Sequence, residues 1–138
     1  RHIEFIMNDA DDARVRFSHI ENLWFMVNAN WDVYSNMGSV SPLWRLGNLK
    51  SDTLDLIFRR FLNNEVPAYK MMAALSTKYL AGQYGDPRGK KIYGSKNDLL
   101  SLYFEKHCAR EFYLHLGFSH MTEKMELDLR QEGRLISL

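Results

Sequence analysis

Cysteine is nearly absent. Cys108 is the single thiol among 138 residues, so no internal disulfide can form. The expected compartment is intracellular, cytoplasmic or nuclear, rather than secreted. Proline and glycine are also sparse, with three and eight residues, which excludes a collagen-like or low-complexity chain. No run of about 18 apolar residues occurs, so no segment reads as a membrane-spanning helix and no membrane partner is expected. No signal peptide is visible. An excess of one charge is missing too: the formal net charge is +1. Overall electrostatics therefore steer the chain toward neither nucleic acid nor an anionic surface, and such a partner would have to use a local patch. The first residue is Arg1 rather than Met, and the expectation is a fragment of a longer polypeptide.

What is present is enough for a core. Apolar residues make up 46% and aromatics 13% of the chain, against a disordered reading. Asn8, Asp9, Asp11 and Asp12 crowd ahead of a periodic run, as carboxylates do at helix N-termini. In that run Ala13, Phe17, Ile20, Trp24, Val27, Trp31 and Tyr34 alternate spacings of four and three, which predicts a helix over 9–34. Ser41-Pro42 predicts a helical turn. Ser51 or Asp52 is the expected cap of a helix with Leu54, Ile57, Phe58, Phe61 and Leu62 on one buried face. Pro67 opens a further helix carrying Met71, Met72, Leu75, Tyr79 and Leu80, with Gly82 at its end.

Residues 82–94 hold four glycines and a proline and read as a loop. Ser95 and Asp98 resemble a capping box, followed by a helix to Leu116 with a break near Cys108. Met125, Leu127 and Leu129 alternate with Glu126 and Asp128, which predicts a small hairpin in 121–138. A helix through 122–131 is the alternative, since Glu, Lys, Leu, Arg and Gln are good helix formers. The fold expected is mainly α: a compact helical domain of about five or six helices spanning 1–138, with a small C-terminal β-hairpin.

The chemistry-bearing residues concentrate in one stretch. Arg88, Lys90, Lys91 and Lys96 form the basic cluster, and free N–H groups at the start of the following helix can add to an anion site. Tyr84 and Tyr93 flank it, as single-stranded RNA stacking would need. Gly89 to Lys96 has the glycine spacing of a phosphate loop, but Ser95-Lys96 reverses its last two residues, and no strand feeds it. His107, Cys108, His115 and His120 lack zinc-ligand spacing. His107 and Cys108 are neighbours that point apart on a helix and make a poor nucleophile pair. No catalytic, metal or cofactor site is therefore expected. Trp44, on a short turn, is the aromatic expected at a partner interface. The 13–34 seam can equally bury itself against a second copy, so a homodimer is open.

Residues 67–118 resemble the PUB domain, a small helical module of peptide:N-glycanase and its relatives. The likeness rests on ALSTKYLAGQYGDP, the basic RGKKIYGSKN that follows, and HLGF at 115–118. Lys91-Ile92-Tyr93 stands where the family carries a Lys-Tyr-Arg triplet. The resemblance implies a non-enzymatic domain that binds the C-terminal tail of an AAA ATPase. It implies a peptide pocket at Lys90, Lys91, Tyr93 and Asn97, with Leu100 as an apolar neighbour. Ala109 to Phe118 followed by MELDL is similar to the closing segment of GNAT acetyltransferases, but too few residues separate it from Gly94 for that fold. The expectation is a non-catalytic protein–protein interaction module that recognises a peptide or protein through Arg88, Lys90, Lys91, Tyr93, Lys96 and Asn97. The alternative is binding of single-stranded RNA or another anion.

Overall fold

The computed structural model describes residues 23–136, with side chains to residue 131. Its first elements are decided by Asn28. The Oδ1 of Asn28 accepts the N–H groups of Asn30 at 3.0 Å and Asp32 at 2.9 Å, and Trp31 takes a left-handed conformation at φ 69°. A side chain that stands in for a backbone acceptor reverses the chain here. Strand β1 (Phe25–Val27) consequently pairs antiparallel with β2 (Asp32–Ser35), and β3 (Gly47–Asn48) adds to the other side of β2. Met26 stands opposite Tyr34, and Val33 opposite Gly47.

This sheet corrects the helix expected over 9–34 in its described portion; residues 9–22 lie outside the described residues. The spacing of Trp24, Val27, Trp31 and Tyr34 fits a helix, but the Asn28 turn wins locally. Tyr34 is buried, whereas Trp24, Val27 and Trp31 are exposed.

Pro42–Trp44 form the predicted turn as a single 3-10 turn. Trp44 is 1% exposed, so it is not the surface anchor expected of it. Its ring meets Tyr69 edge-on at 5.0 Å and Phe104 at 6.0 Å. A Cβ at Gly38 would collide with that ring, so the bare backbone of Gly38 is what lets the preceding loop lie over it. A short turn can hold a tryptophan inward when the elements beneath supply an aromatic socket.

Helix α1 (Leu54–Leu62) is capped by Thr53, whose hydroxyl accepts the Leu56 N–H at 3.2 Å. Asp52 is not the cap. It accepts the Asn48 N–H at 2.9 Å and pairs with Arg60 at 3.1 Å. Only Ile57 and Phe61 of the expected buried face are buried; Leu54, Phe58 and Leu62 are exposed. The structure covers one side of the apolar stripe and leaves Leu54 and Leu62 open to solvent, while Phe58 is partly covered by the edge-on ring of Phe25 at 4.9 Å.

The helix expected from Pro67 to Gly82 is two helices, α2 (Pro67–Ala74) and α3 (Thr77–Tyr84). Leu75 is extended, and the Ser76 hydroxyl accepts the Tyr79 N–H at 3.0 Å as a new N-cap. Gly82 lies inside α3, and Gly85 ends it. Helix α4 (Lys96–His107) starts with the predicted capping box of Ser95 and Asp98, and Cys108 separates it from α5 (Ala109–Tyr113). The last element is α6 (Glu123–Ile136), the alternative the sequence left open for 122–131, and no C-terminal hairpin is formed among the described residues. The Thr122 hydroxyl accepts the Met125 N–H at 3.2 Å and starts that helix. Met125 and Asp128 are buried while Leu127 is exposed, which is a helical and not an alternating pattern.

The described residues are thus mainly α with a small antiparallel sheet at the N-terminal side. Tyr69, Tyr103, Phe61 and Phe104 fill the core with Trp44. No helix of the described residues is long and apolar enough to cross a membrane.

Candidate functional site

The segment that joins α3 to α4 is organised by one carboxylate. After Gly85, the run Asp86-Pro87-Arg88-Gly89 carries the residue types of a tight turn. The Gly89 N–H donates to the Asp86 carbonyl at 3.0 Å, and Gly89 sits at φ 64°, a region that favours glycine. The Asp86 side chain then accepts three backbone N–H groups: Arg88 at 3.0 Å, Lys90 at 3.1 Å and Lys91 at 3.1 Å. The Arg88 N–H first, then those of Lys91 and Lys90, hold the Asp86 carboxyl below the usual carboxylate range. The Asp86 N–H donates in turn to the Tyr93 hydroxyl at 2.7 Å. The segment from 86 to 93 is therefore closed from inside at both ends.

What this closed loop displays is basic and apolar. Arg88, Lys90 and Lys91 are exposed, and Ile92 is 83% exposed. The Arg88 Nε lies 3.7 Å from Asp86, yet its side chain stays 78% exposed.

Of the six site residues expected from sequence, the structure leaves Arg88, Lys90 and Lys91 exposed on the one loop. The other three face inward. Tyr93 is buried at 6% exposure, because its hydroxyl is the acceptor for Asp86. The Lys96 ammonium donates to the Met72 carbonyl at 2.6 Å, near the end of α2, where carbonyls lack helical partners. The Asn97 amide donates to the Met37 carbonyl at 3.1 Å and ties the loop after β2 to α4. Leu100, the apolar neighbour implied by the PUB resemblance, is fully buried. Asp86 and Ile92 are the residues that sequence reasoning missed. Asp-Pro-x-Gly was a legible turn signal for the first, and an isoleucine inside a polar loop was the signal for the second.

Tyr84, the other aromatic beside the loop, belongs to a polar cluster among α3, α4 and α6. Its hydroxyl is 2.8 Å from His107 Nε2, and its ring stands edge-on to Tyr103 and His107. The Tyr103 hydroxyl donates to Asp128 at 2.6 Å, and the Lys124 ammonium donates to the same carboxylate at 2.9 Å. Burial, with Lys124 and Lys106 nearby, lowers the His107 pKa. Every polar tip in the cluster faces another, which makes it a clasp between helices.

Cys108 is 2% exposed, and burial, with Glu111 adding to it, pushes its thiol up to about 11. A protonated, buried thiol is a packing residue and a poor nucleophile. Among the described residues, no group of three or more His, Cys, Asp or Glu side chains is placed to hold a metal ion.

These features define a mainly α protein with a small antiparallel sheet and an internally fastened basic loop. No protein-family model, no curated protein and no solved structure matches the chain.

Proposed function

We propose that this chain is a non-catalytic interaction module that recognises an acidic segment of a peptide or protein with the tip of the 86–93 loop. The observation that carries the reading is the 83% exposure of Ile92 on a loop whose backbone is pinned by Asp86 and Tyr93. A loop ordered before binding loses little conformational freedom when a partner arrives. Covering an exposed isoleucine contributes about 1.5–3 kcal/mol. Arg88, Lys90 and Lys91 beside it favour an acidic partner and speed its encounter. The resemblance of 67–118 to the PUB domain points the same way, although Tyr93, Asn97 and Leu100 serve the fold instead of a pocket.

Single-stranded RNA is the second reading, because the same cations suit phosphates. It ranks lower because stacking needs open aromatic faces, and the ring of Tyr93 is buried while Tyr84 is held among Tyr103 and His107.

The test is a fluorescence-anisotropy titration with an acidic peptide containing apolar residues, and in parallel with single-stranded RNA, at low and physiological salt. Peptide binding should persist at physiological salt and weaken at least about tenfold in Lys90→Ala/Lys91→Ala and in Ile92→Ser, the order of one buried anchor or charge pair. RNA binding alone, falling steeply with salt, would replace the first reading with the second.

A further inference from the structure

A cleft of about 550 Å³ opens between residues 42–48, the α1–α2 corner and residues 117–121. It is separate in sequence from the 86–93 loop, and none of that loop's residues lines it. Its size lies within the range of about 300–1,000 Å³ common to small-molecule sites.

Its lining carries three arginines, Arg45, Arg59 and Arg60, against two carboxylates, Asp52 and Glu65. Arg60 is already engaged: its guanidinium lies at 3.1 and 3.4 Å from the two oxygens of Asp52 and also donates to the Leu46 carbonyl at 3.2 Å. Gly47 leaves room for that pair, since a Cβ there would come within 2.8 Å of Asp52 and 3.0 Å of Arg60. Arg45 is held only loosely, at 3.5 Å from Asp32, with its side chain 48% exposed. Arg59 is exposed, and while its carbonyl accepts the Asn63 N–H at 3.0 Å, its guanidinium makes no hydrogen bond or ion pair among the described residues. With Asp52 occupied by Arg60, Glu65 is the remaining carboxylate in the lining, against Arg45 and Arg59.

Apolar groups complete the hollow. Leu56 lines it from the first turn of α1, Val66 from the α1–α2 corner, and Phe118 and Met121 from the 117–121 segment. Gly117 brings that segment close: a Cβ there would sit 3.3 Å from the Pro42 carbonyl and 3.6 Å from the Arg45 guanidinium. The cleft thus offers two under-used guanidinium groups beside an apolar surface. A guanidinium presents a planar fork of donors that matches an oxyanion.

We propose that this cleft binds a small organic acid, with its oxyanion head on Arg45 and Arg59 and its apolar body against Phe118 and Met121. The head is a carboxylate or a phosphate monoester. The inference does not depend on the peptide reading of the loop.

The test is an NMR titration of the 15N-labelled chain with hexanoate, hexyl phosphate and hexanol in separate arms. Amide shifts should gather at residues 45–48, 59–60 and 117–121 with at least one of the acids, and hexanol at the same concentration should leave them in place. The acid that binds identifies the head. Arg45→Gln/Arg59→Gln should weaken binding at least about tenfold, as loss of a charge-assisted contact does. The melting temperature should stay within about 2 °C of the parent, because both side chains are exposed. Arg59→Gln alone, which removes no interaction within the described fold, should weaken binding in the same direction. Equal shifts with hexanol would overturn the proposal, as would shifts scattered over the surface, no shift with either acid, or full binding in Arg59→Gln. Loss of acid binding in Lys90→Ala/Lys91→Ala would overturn it too, by placing the acid on the loop.

Discussion

The hydroxyl of Tyr93 accepts the backbone N–H of Asp86 at 2.7 Å, and the Asp86 carboxylate reaches back over the residues between them to accept the N–H groups of Arg88, Lys90 and Lys91. Two side chains pointing inward therefore set the course of a backbone whose other side chains point outward. Rigidity and display are separated by residue: Asp86 and Tyr93 give the first, and Arg88, Lys90, Lys91 and Ile92 the second.

Asp86→Ala should release the loop without touching a displayed side chain. Hydrogen exchange at the amides of Arg88, Lys90 and Lys91 should speed up markedly, and affinity for an acidic peptide should fall. Acid should act in the same way on the parent protein. The Asp86 pKa is depressed in the folded chain, so its contribution is present above the unfolded value of about 3.9 and is lost as the pH falls through the lower folded value. Protection of the three amides should therefore hold at pH 5 to 7 and drop below about pH 4. Unchanged exchange in Asp86→Ala would show that the carboxylate does not set the loop.

The lysines divide into two kinds. Lys90→Ala/Lys91→Ala should leave unfolding free energy within about 0.5 kcal/mol of the parent, as exposed substitutions do. Lys96→Ala should cost about 1–2 kcal/mol, because it leaves the Met72 carbonyl without its charged donor. Trp44→Ala should cost about 3–5 kcal/mol, in line with a fully buried aromatic in a packed core. Urea unfolding of the three variants separates these magnitudes.

His107 should make stability depend on pH near neutrality. It faces Tyr84 from α3 and stands near Lys124 and Asp128 of α6, with Lys106 beside it on α4. Its folded pKa is lowered, so the unfolded chain, with a value of about 6.5, binds the proton more readily. Stability is then fully present above about pH 6.5 and declines as the pH falls from there toward the folded value. The melting temperature should drop between pH 7 and 5, and His107→Gln should flatten that slope.

The local punctuation of the chain was legible. The Ser95–Asp98 capping box, the Ser41-Pro42 turn and the break at Cys108 all stand where their residue types put them, because each is decided within a few residues; the loop expected over 82–94 begins only at Gly85, since α3 runs through Gly82 to Tyr84. Errors arose where tertiary context chose between periods. Trp24 to Tyr34 satisfies a helical repeat, but the Asn28 turn and the pairing of β2 with β3 make it a hairpin, with Asn48 of β3 bonding to Asn30 and Asp32. Met125, Leu127 and Leu129 alternate like a strand, yet burial selects Met125 and Asp128. Trp44 looked free because its socket of Tyr69 and Phe104 comes from helices far away in sequence. The same reason hid the inward roles of Tyr93, Lys96 and Asn97: their partners lie 7, 24 and 60 residues away.

The central claim, that the fastened loop is a docking surface, is tested most directly by mapping a bound acidic peptide onto the amides of the 15N-labelled chain at physiological salt. The account predicts shifts concentrated at residues 88–92 that disappear in Ile92→Ser. Binding that leaves those amides in place and moves others, or no binding at all, would contradict it.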